Sequence, residues 1–212
     1  MRLLVTVLKI VLIGDGGVGK TAIRERYLGK GFKAQYLLTI GADFAMRDDV
    51  IRGDSIRYQI WDLAGQQRFD AVREVYYKGS VGALLIYDVT RPDSYFNTPK
   101  WINELWTNNG RGRVPIVVVA NKIDMRELSD DTVSPEQGRI FTERLTKLTR
   151  PEGFDCYYIE TSAKTGVNIQ AAFTLLGENI MRFVSRQRKT SRTTTSRLRA
   201  AAQQQRSYSR QY

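Results

Sequence analysis

The sequence predicts an α/β fold in which a doubly wound, mostly parallel sheet of six strands carries helices on both faces. Two patterns support this prediction. Short apolar runs rich in β-branched residues alternate with segments of helical periodicity, which is typical of parallel strands connected by helices. The first apolar run also leads directly into a glycine-rich loop, and folds of this class bind their ligands at the carboxyl ends of the strands.

Five apolar runs are predicted to be buried strands, and a sixth segment is predicted to be an edge strand. The edge strand, Ala42–Val50, alternates polar and apolar residues before a turn at residues 52–54. The first run resembles a signal peptide, but Lys9 interrupts it and no small-residue cleavage site follows, so a buried strand is the better interpretation. The buried strands are predicted at Leu8–Ile13, Ile56–Leu63, Val81–Asp88, Val114–Ala120 and Cys156–Glu160.

Helices are predicted between and after these strands. The clearest start signal is Ser134 followed by Pro135, a capping residue before a proline at the first helical position. The helices are predicted at Gly19–Leu28, Phe69–Tyr77, Ser94–Asn108, Pro135–Leu148 and Ile169–Arg188.

The composition is that of a globular protein, and it narrows the chemistry available. The chain has 212 residues, of which 42% are hydrophobic and 26% charged, enough for one well-packed core. It contains no histidine and one cysteine, Cys156, which excludes Ser-His and Cys-His nucleophiles and histidine-ligated metal sites. Catalysis must therefore use carboxylates, lysine, arginine, glutamine, hydroxyls, backbone amides or an oxygen-ligated metal such as Mg²⁺.

The positive charge is concentrated at the C-terminal end. The formal net charge is +11, but residues 182–212 hold nine basic and no acidic residues, which leaves +2 for residues 1–181. We therefore expect a globular domain over 1–181 and a basic tail over 182–212 that is disordered by itself. The tail is interpreted as a weak contact to an anionic membrane or as a solubilising extension; nucleic acid is less favoured, because aromatic and basic residues do not alternate regularly.

A glycine-rich motif follows the first predicted strand. Residues 14–21 fit the pattern G-x-x-x-x-G-K-[ST] between a strand and a helix, which is the context of a phosphate-binding loop. Its glycines let backbone N–H groups surround phosphate oxygens, Lys20 supplies a cation to the β- and γ-phosphates, and the Thr21 hydroxyl is placed for Mg²⁺. The predicted nucleotide contacts in this loop are Asp15, Gly16, Gly17, Val18, Gly19, Lys20 and Thr21.

Two later loops indicate which base is bound. The motif Asn121-Lys122-Ile123-Asp124 follows a buried strand, and a carboxylate there can accept hydrogen bonds from N1–H and the 2-amino group of guanine, a donor pair that adenine lacks. The motif Thr161-Ser162-Ala163-Lys164 follows the next strand. Either motif alone fits an ordinary polar loop, but both together after a phosphate-binding loop indicate a guanine nucleotide.

A fourth motif lies between the phosphate-binding loop and the base loops. Asp62 ends a predicted strand, where its carboxylate can hold Mg²⁺ through water. Gly65 can donate its N–H to the γ-phosphate, and Gln66 can orient an attacking water molecule. Taken alone, this segment also fits a strand end followed by a turn.

These motifs resemble those of the Ras superfamily of small GTPases, and within it the chain is most similar to the Rab family over about residues 9–184. The resemblance is strongest at residues 39–44, 58–62, 76–79 and 85–90. It implies a switch that binds GTP or GDP with Mg²⁺ and acts in membrane-associated trafficking. Intrinsic hydrolysis is expected at about 10⁻⁴–10⁻² s⁻¹, because no internal arginine finger is evident and Arg68 is better read as solvated or salt-bridged.

The resemblance also assigns roles to individual residues. Thr39 would complete the Mg²⁺ shell with Thr21 and Asp62, and Gly16, Lys20 and Gln66 would act in hydrolysis. The remaining nucleotide contacts implied are Phe32 against the guanine, Tyr36 over the phosphates, Gly65, and the base-binding residues Asn121, Lys122 and Asp124 with Ser162, Ala163 and Lys164.

Partners and location follow from the same resemblance. Residues near 32–44 and 65–77 are expected to change with the nucleotide and to bind effectors, exchange factors and activating proteins. The chain ends without the prenylatable cysteines usual in the Rab family and shows no myristoylation signal, so lipid anchoring is not expected. We expect a cytoplasmic protein, peripheral at most on the cytosolic face of a membrane. The open alternatives are a nucleotide-locked scaffold and a GTPase associated with nucleic acid or ribosomes.

Overall fold

The predicted sheet is present, with six strands in the order β2-β3-β1-β4-β5-β6. The computed structural model describes residues 5–32, 39–66 and 70–187. Within these ranges β2 pairs antiparallel with β3 and all other neighbours are parallel, which confirms the predicted fold class. The strands are β1 (Thr6–Ile13), β2 (Ala42–Ile51), β3 (Asp54–Leu63), β4 (Gly82–Asp88), β5 (Ile116–Asn121) and β6 (Tyr157–Thr161).

Burial along the strands follows from their positions in the sheet. Every residue of β4 and β5 is buried, because strands covered by helices on both faces need apolar side chains in both directions. Strand β2 lies at the edge and alternates between half-buried and exposed residues, as its sequence predicts. Cys156, predicted to begin the last strand, instead lies buried immediately before β6.

Helices cover both faces of the sheet. Helix α5 has the cleanest start: Ser134 accepts a hydrogen bond from the backbone N–H of Gln137, whose side chain accepts one from the backbone N–H of Ser134. The helices are α1 (Lys20–Tyr27), α2 (Asp70–Tyr77), α3 (Pro92–Phe96), α4 (Thr98–Asn108), α5 (Pro135–Thr149) and α6 (169–187). Short 3₁₀ turns at Ile123–Leu128 and Arg150–Glu152 follow β5 and α5.

One helix prediction needs correction, and the last helix crosses a predicted boundary. The helix predicted over Ser94–Asn108 is divided into α3 and α4 at Asn97, because Pro99 has no backbone N–H and a continuous helix would lose a hydrogen bond there. Helix α6 continues past the domain boundary predicted between residues 181 and 182. Residues 182–187 therefore belong to the folded part, and the rest of the predicted tail, 188–212, lies outside the described residues.

The core consists of two layers, one on each face of the sheet. Alternate residues of β1 point to opposite faces: Val11 and Ile13 pack with α2, α4 and α5, whereas Ile10 and Leu12 pack with α1 and α6. On the α6 face, Tyr27 stacks on Phe173 with ring centroids 3.6 Å apart. No helix in the described ranges is both long and apolar enough to cross a membrane. Segments that are distant in the chain therefore meet in the loops at the carboxyl edge of the sheet.

Candidate nucleotide-binding site

The phosphate-binding loop connects β1 to α1 and is pressed against the neighbouring strand. Gly14 has φ of 136°, and a Cβ atom there would overlap the carbonyl oxygen of Ile86 in β4. Gly19, with φ of 101°, similarly leaves no room for a Cβ atom beside the Asn121 amide. Glycine is required at both positions by backbone conformation and by close approach. The loop is thereby held against β4 and the end of β5.

Lys20 lies at the centre of this loop. Its side chain is buried, and its Nζ donates hydrogen bonds to the carbonyl oxygens of Gly14 at 2.7 Å and Asp15 at 2.8 Å. Burial lowers the pKa of Lys20 to about 8; the charges of Asp62 and Asp15 raise it, and those of Arg73 and Arg91 lower it further. A buried cation with only neutral acceptors is stabilised by a bound anion.

Three oxygen atoms from distant parts of the chain meet beside Lys20. The Thr21 hydroxyl lies 2.9 Å from the Thr39 hydroxyl and donates to Oδ2 of Asp62 at 2.6 Å. The other oxygen of Asp62, Oδ1, is buried without a hydrogen-bond partner, and burial raises the pKa of this carboxyl. The three residues predicted to hold the metal are thus brought together.

Gly65 and Gln66 lie against the phosphate-binding loop. A Cβ atom on Gly65 would overlap the backbone of Asp15 and Gly16, so the segment after β3 can approach this closely only with glycine. The Cγ atom of Gln66 would lie 3.6 Å from a Cβ atom on Gly16. The proposed water-orienting residue is therefore close to Gly16.

Asn121 joins the first base loop to the rest of the site. Its Nδ2 donates to the carbonyl oxygen of Val18 at 2.8 Å. Its Oδ1 accepts from the Thr161 hydroxyl at 3.0 Å and from the backbone N–H of Ala163 at 3.2 Å. One amide thus holds the phosphate-binding loop and both base loops together.

Asp124 and Lys122 have different surroundings within the same loop. The Ser162 hydroxyl donates to Oδ1 of Asp124 at 2.6 Å. Lys122, with φ of 67°, forms an ion pair of 2.6 Å with the buried carboxylate of Asp88 at the end of β4. Lys164, the last residue of the second base loop, is exposed.

Not every predicted contact is assembled in this structure. The Phe32 side chain is 44% exposed, and Tyr36 lies outside the described residues. The carboxylate of Asp15 is directed to the α3–α4 region, where it accepts hydrogen bonds from Asn97 and Trp101, each at 2.7 Å. Asp15 can therefore contribute its backbone, but not this carboxylate, to a phosphate site.

Several residues near the site were missed from the sequence. Arg73 of α2 is fully buried, pairs with Glu104 of α4 and donates to the carbonyl oxygens of Ala64 at 3.1 Å and Gln66 at 2.9 Å. Arg91 donates to the carbonyl oxygen of Gly16 at 2.9 Å. The position of Arg91 just after β4 could have drawn attention to it, since loops at that edge carry the site.

Comparison with known proteins agrees with this arrangement, which is that of a GTPase of the P-loop class. Residues 9–182 match the Ras family. Ras-related protein RABA2a of Arabidopsis thaliana is 36% identical over 188 residues, covering 89% of this chain and 81% of the relative. Ras-related protein rab-11.1 of Caenorhabditis elegans is 38% identical, covering 84% and 78%. The chain therefore belongs to the Ras family, and it is a Rab-like small GTPase that hydrolyses GTP.

Proposed function

We propose that this chain is a molecular switch that binds GTP and GDP with Mg²⁺ at the carboxyl edge of its sheet. The observation that carries the proposal is the meeting of the Thr21, Thr39 and Asp62 oxygens beside the buried Lys20. Thr39 is contributed by the segment before β2, and it reaches the first turn of α1. This contact connects the proposed phosphate site to the segment 32–44, which is expected to bind partner proteins.

The donor set fits Mg²⁺. This ion prefers oxygen ligands, often one or two carboxylates with water and phosphate, and the unpartnered Oδ1 of Asp62 is an acceptor still available. Among the described residues there is no cluster of three or more histidine, cysteine or acidic side chains that could hold a metal, so the proposal depends on two hydroxyls and one carboxylate. Bound there, the ion would neutralise charge on the β- and γ-phosphates.

The remaining residues would position the substrate. Lys20 would hold the β- and γ-phosphates, and the backbone N–H of Gly65 would bind the γ-phosphate. Gln66 would orient the attacking water over Gly16. Asp124 would accept two hydrogen bonds from guanine, while Asn121, through its contacts with three loops, fixes where the base can lie. Lys122, Ser162, Ala163 and Lys164 complete the proposed base site.

The proposed partner surface lies beside the two segments expected to change with the nucleotide, 32–44 and 65–77. Phe44, Trp61 and Tyr76 form a row of rings, with centroid distances of 4.9 and 5.3 Å. Ile40 and Val75, which belong to these two segments, are 78% and 73% exposed. Exposed apolar side chains next to a nucleotide-sensitive segment are suited to binding effectors and regulators. We place the protein in the cytoplasm, acting in membrane trafficking.

Nucleotide analysis of the purified protein tests this function. Denaturation and chromatography should release GDP or GTP in a molar ratio near one, and chelating Mg²⁺ should accelerate its loss. In Thr21→Asn, GTP binding should weaken more than GDP binding, because the lost hydroxyl serves a metal that also contacts the γ-phosphate. Release of an adenine nucleotide, or equal weakening for both guanine nucleotides, would contradict the assignment.

A further inference from the structure

Arg91 extends from the loop after β4 to the phosphate-binding loop after β1. It immediately precedes α3, and its Nη2 donates to the carbonyl oxygen of Gly16, 75 residues earlier in the chain, at 2.9 Å. Strands β1 and β4 are parallel neighbours, so their following loops lie side by side at the carboxyl edge. The fold thus brings a guanidinium to the loop that is proposed to hold the phosphates.

Gly16 lies between two side chains suited to phosphoryl transfer. Its carbonyl oxygen accepts a hydrogen bond from Arg91, and the Cγ atom of Gln66 lies 3.6 Å from the position that a Cβ atom on Gly16 would occupy. The proposed water-orienting residue and a guanidinium are therefore both close to one residue of the phosphate-binding loop. This arrangement joins three loops, those after β1, β3 and β4.

Charge at this place favours an anion. Among the residues that the structure describes, Arg91 forms no ion pair, and its guanidinium donates a hydrogen bond to a neutral carbonyl. The nearby Asp15 carboxylate already accepts from two neutral donors. The charges of Arg73 and Arg91 both lower the pKa of Lys20, against the opposing effect of Asp62 and Asp15. Arg73 and Arg91 line a cavity of about 280 Å³ that includes Gly16 and Gly65, and a polyphosphate at the loop would offset the repulsion among these cations.

We propose that Arg91 is a catalytic residue that stabilises the transferring γ-phosphoryl group from within the same chain. The inference rests on the proposed placement of the phosphates. A water oxygen bonds to the γ-phosphorus, the bond from that phosphorus to the β–γ bridging oxygen breaks, and its electron pair stays on GDP. The water proton passes to the released phosphate. Arg91 transfers no proton; its fixed charge stabilises the negative charge of the transition state.

This role changes the expectation drawn from the sequence, which showed no internal arginine finger. A guanidinium supplied within the chain places intrinsic hydrolysis toward the upper end of the expected range, about 10⁻² s⁻¹. The planar guanidinium matters as well as the charge, because it can bind the Gly16 carbonyl and a phosphate oxygen together.

Single-turnover hydrolysis of preloaded GTP tests the proposal in the full chain. We expect Arg91→Ala to slow hydrolysis at least tenfold with unchanged GDP affinity and melting temperature, and Arg91→Lys to recover only part of the rate. Lys100→Ala is the matched control, because it removes another positive charge from the same cavity and should leave the rate unchanged. A second readout is binding of aluminium fluoride to the GDP form without a partner, detected by tryptophan fluorescence; Arg91→Ala should abolish it.

Three results would overturn the inference. If Arg91→Ala hydrolyses GTP at the normal rate while Gln66→Leu is slow, Arg91 has no catalytic role but the proposed site stands. If both variants hydrolyse at the normal rate, the proposed placement of the phosphates is wrong as well. Equal slowing by Lys100→Ala would indicate a general effect of charge. Aluminium fluoride binding by Arg91→Ala equal to that of the unmodified chain would show that the guanidinium does not contact the transferring group.

Discussion

Two residues of the first base loop, Asn121 and Asp124, are held in different ways. The Asn121 amide donates to the carbonyl oxygen of Val18 and accepts from Thr161 and Ala163, so we propose that its part in base binding is to position these loops. Among the described residues, the Ser162 hydroxyl is the one hydrogen-bond donor to Asp124, and it binds Oδ1. A carboxylate oriented through one oxygen keeps acceptor capacity for a ligand. We therefore propose that Asp124 determines the base specificity.

Replacing Asp124 with asparagine should change the preferred base. An amide presents a donor where guanine requires an acceptor, whereas xanthine has a carbonyl at that position. We expect the preference for GTP over XTP to fall by about 10²-fold or more, measured by competition with a fluorescent nucleotide. Ser162→Ala should weaken guanine binding without changing the preference. A variant that keeps its preference for GTP would show that Asp124 does not read the base.

The reactivity of the single cysteine, Cys156, should report whether the protein is folded. Burial raises the pKa of Cys156 to about 11, above its ordinary value of 9.0. Because the folded-state pKa is the higher one, this group favours the native state fully below pH 9, and that contribution is lost as the pH rises toward 11. At pH 8 we expect a thiol reagent to modify the native protein only through unfolding, and to react rapidly in denaturant. Rapid modification of the native protein would contradict this burial.

At the scale of elements, a buried ion pair links α2 to α4. Arg73 donates through Nε to Glu104 at 2.8 Å, and through Nη1 it holds the carbonyl oxygens that precede α2. The guanidinium also lies 4.6 Å from the centroid of the Trp101 ring. The position of Gln66 thus depends on a contact between two helices.

Removing this pair should impair both stability and hydrolysis. Breaking a buried ion pair costs about 3–5 kcal/mol, so Arg73→Met should lower the free energy of unfolding by several times more than Arg113→Met. The latter removes an exposed pair with Glu152, worth at most about 1 kcal/mol. Arg73→Met should also slow single-turnover hydrolysis although Gln66 is intact. Normal hydrolysis in a folded Arg73→Met protein would show that α4 does not position Gln66.

The sequence predicts elements and motifs better than contacts between elements. The glycine-rich loop and the base loops are recognisable because their residues are adjacent in the chain and follow buried strands. The contacts of Arg73 with Glu104 and of Arg91 with Gly16 join residues 31 and 75 positions apart, and only the strand order makes them neighbours. The division of the helix at Asn97 was missed because periodicity alone does not show whether a helix restarts after a break.

In the molecule as a whole, the last described turns of α6 pack against the segment that precedes β6. The Phe183 ring packs on Phe154 with centroids 4.8 Å apart. Arg182 donates to the Tyr157 hydroxyl at 2.9 Å, and Arg186 donates to the carbonyl oxygen of Gly153 at 2.7 Å. Truncation after 187 should leave the melting temperature unchanged, whereas truncation after 181 should cost about 3 kcal/mol. Equal stability of both truncations would show that residues 182–187 are dispensable.

The proposed membrane contact concerns the residues after 187. Each lysine or arginine close to an anionic surface contributes about 1 kcal/mol, and the attraction fades over about 8 Å at physiological salt. We expect the full chain, but not residues 1–187, to sediment weakly with anionic vesicles at low salt and to be released at high salt. Equal sedimentation of both would place the contact in the domain; binding to RNA instead would favour the nucleic-acid alternative.

The end of α6 and the proposed nucleotide site lie at opposite edges of the sheet. Phe154 and Gly153, which it contacts, precede β6 and so lie at the amino edge of the parallel strands. The phosphate-binding loop and both base loops lie at the carboxyl edge. Anything that tethered the chain through residues beyond 187 would hold it at the edge of the sheet opposite to the proposed nucleotide site. The proposed site and the segments 32–44 and 65–77 would then face away from the tether, where a soluble partner could approach them.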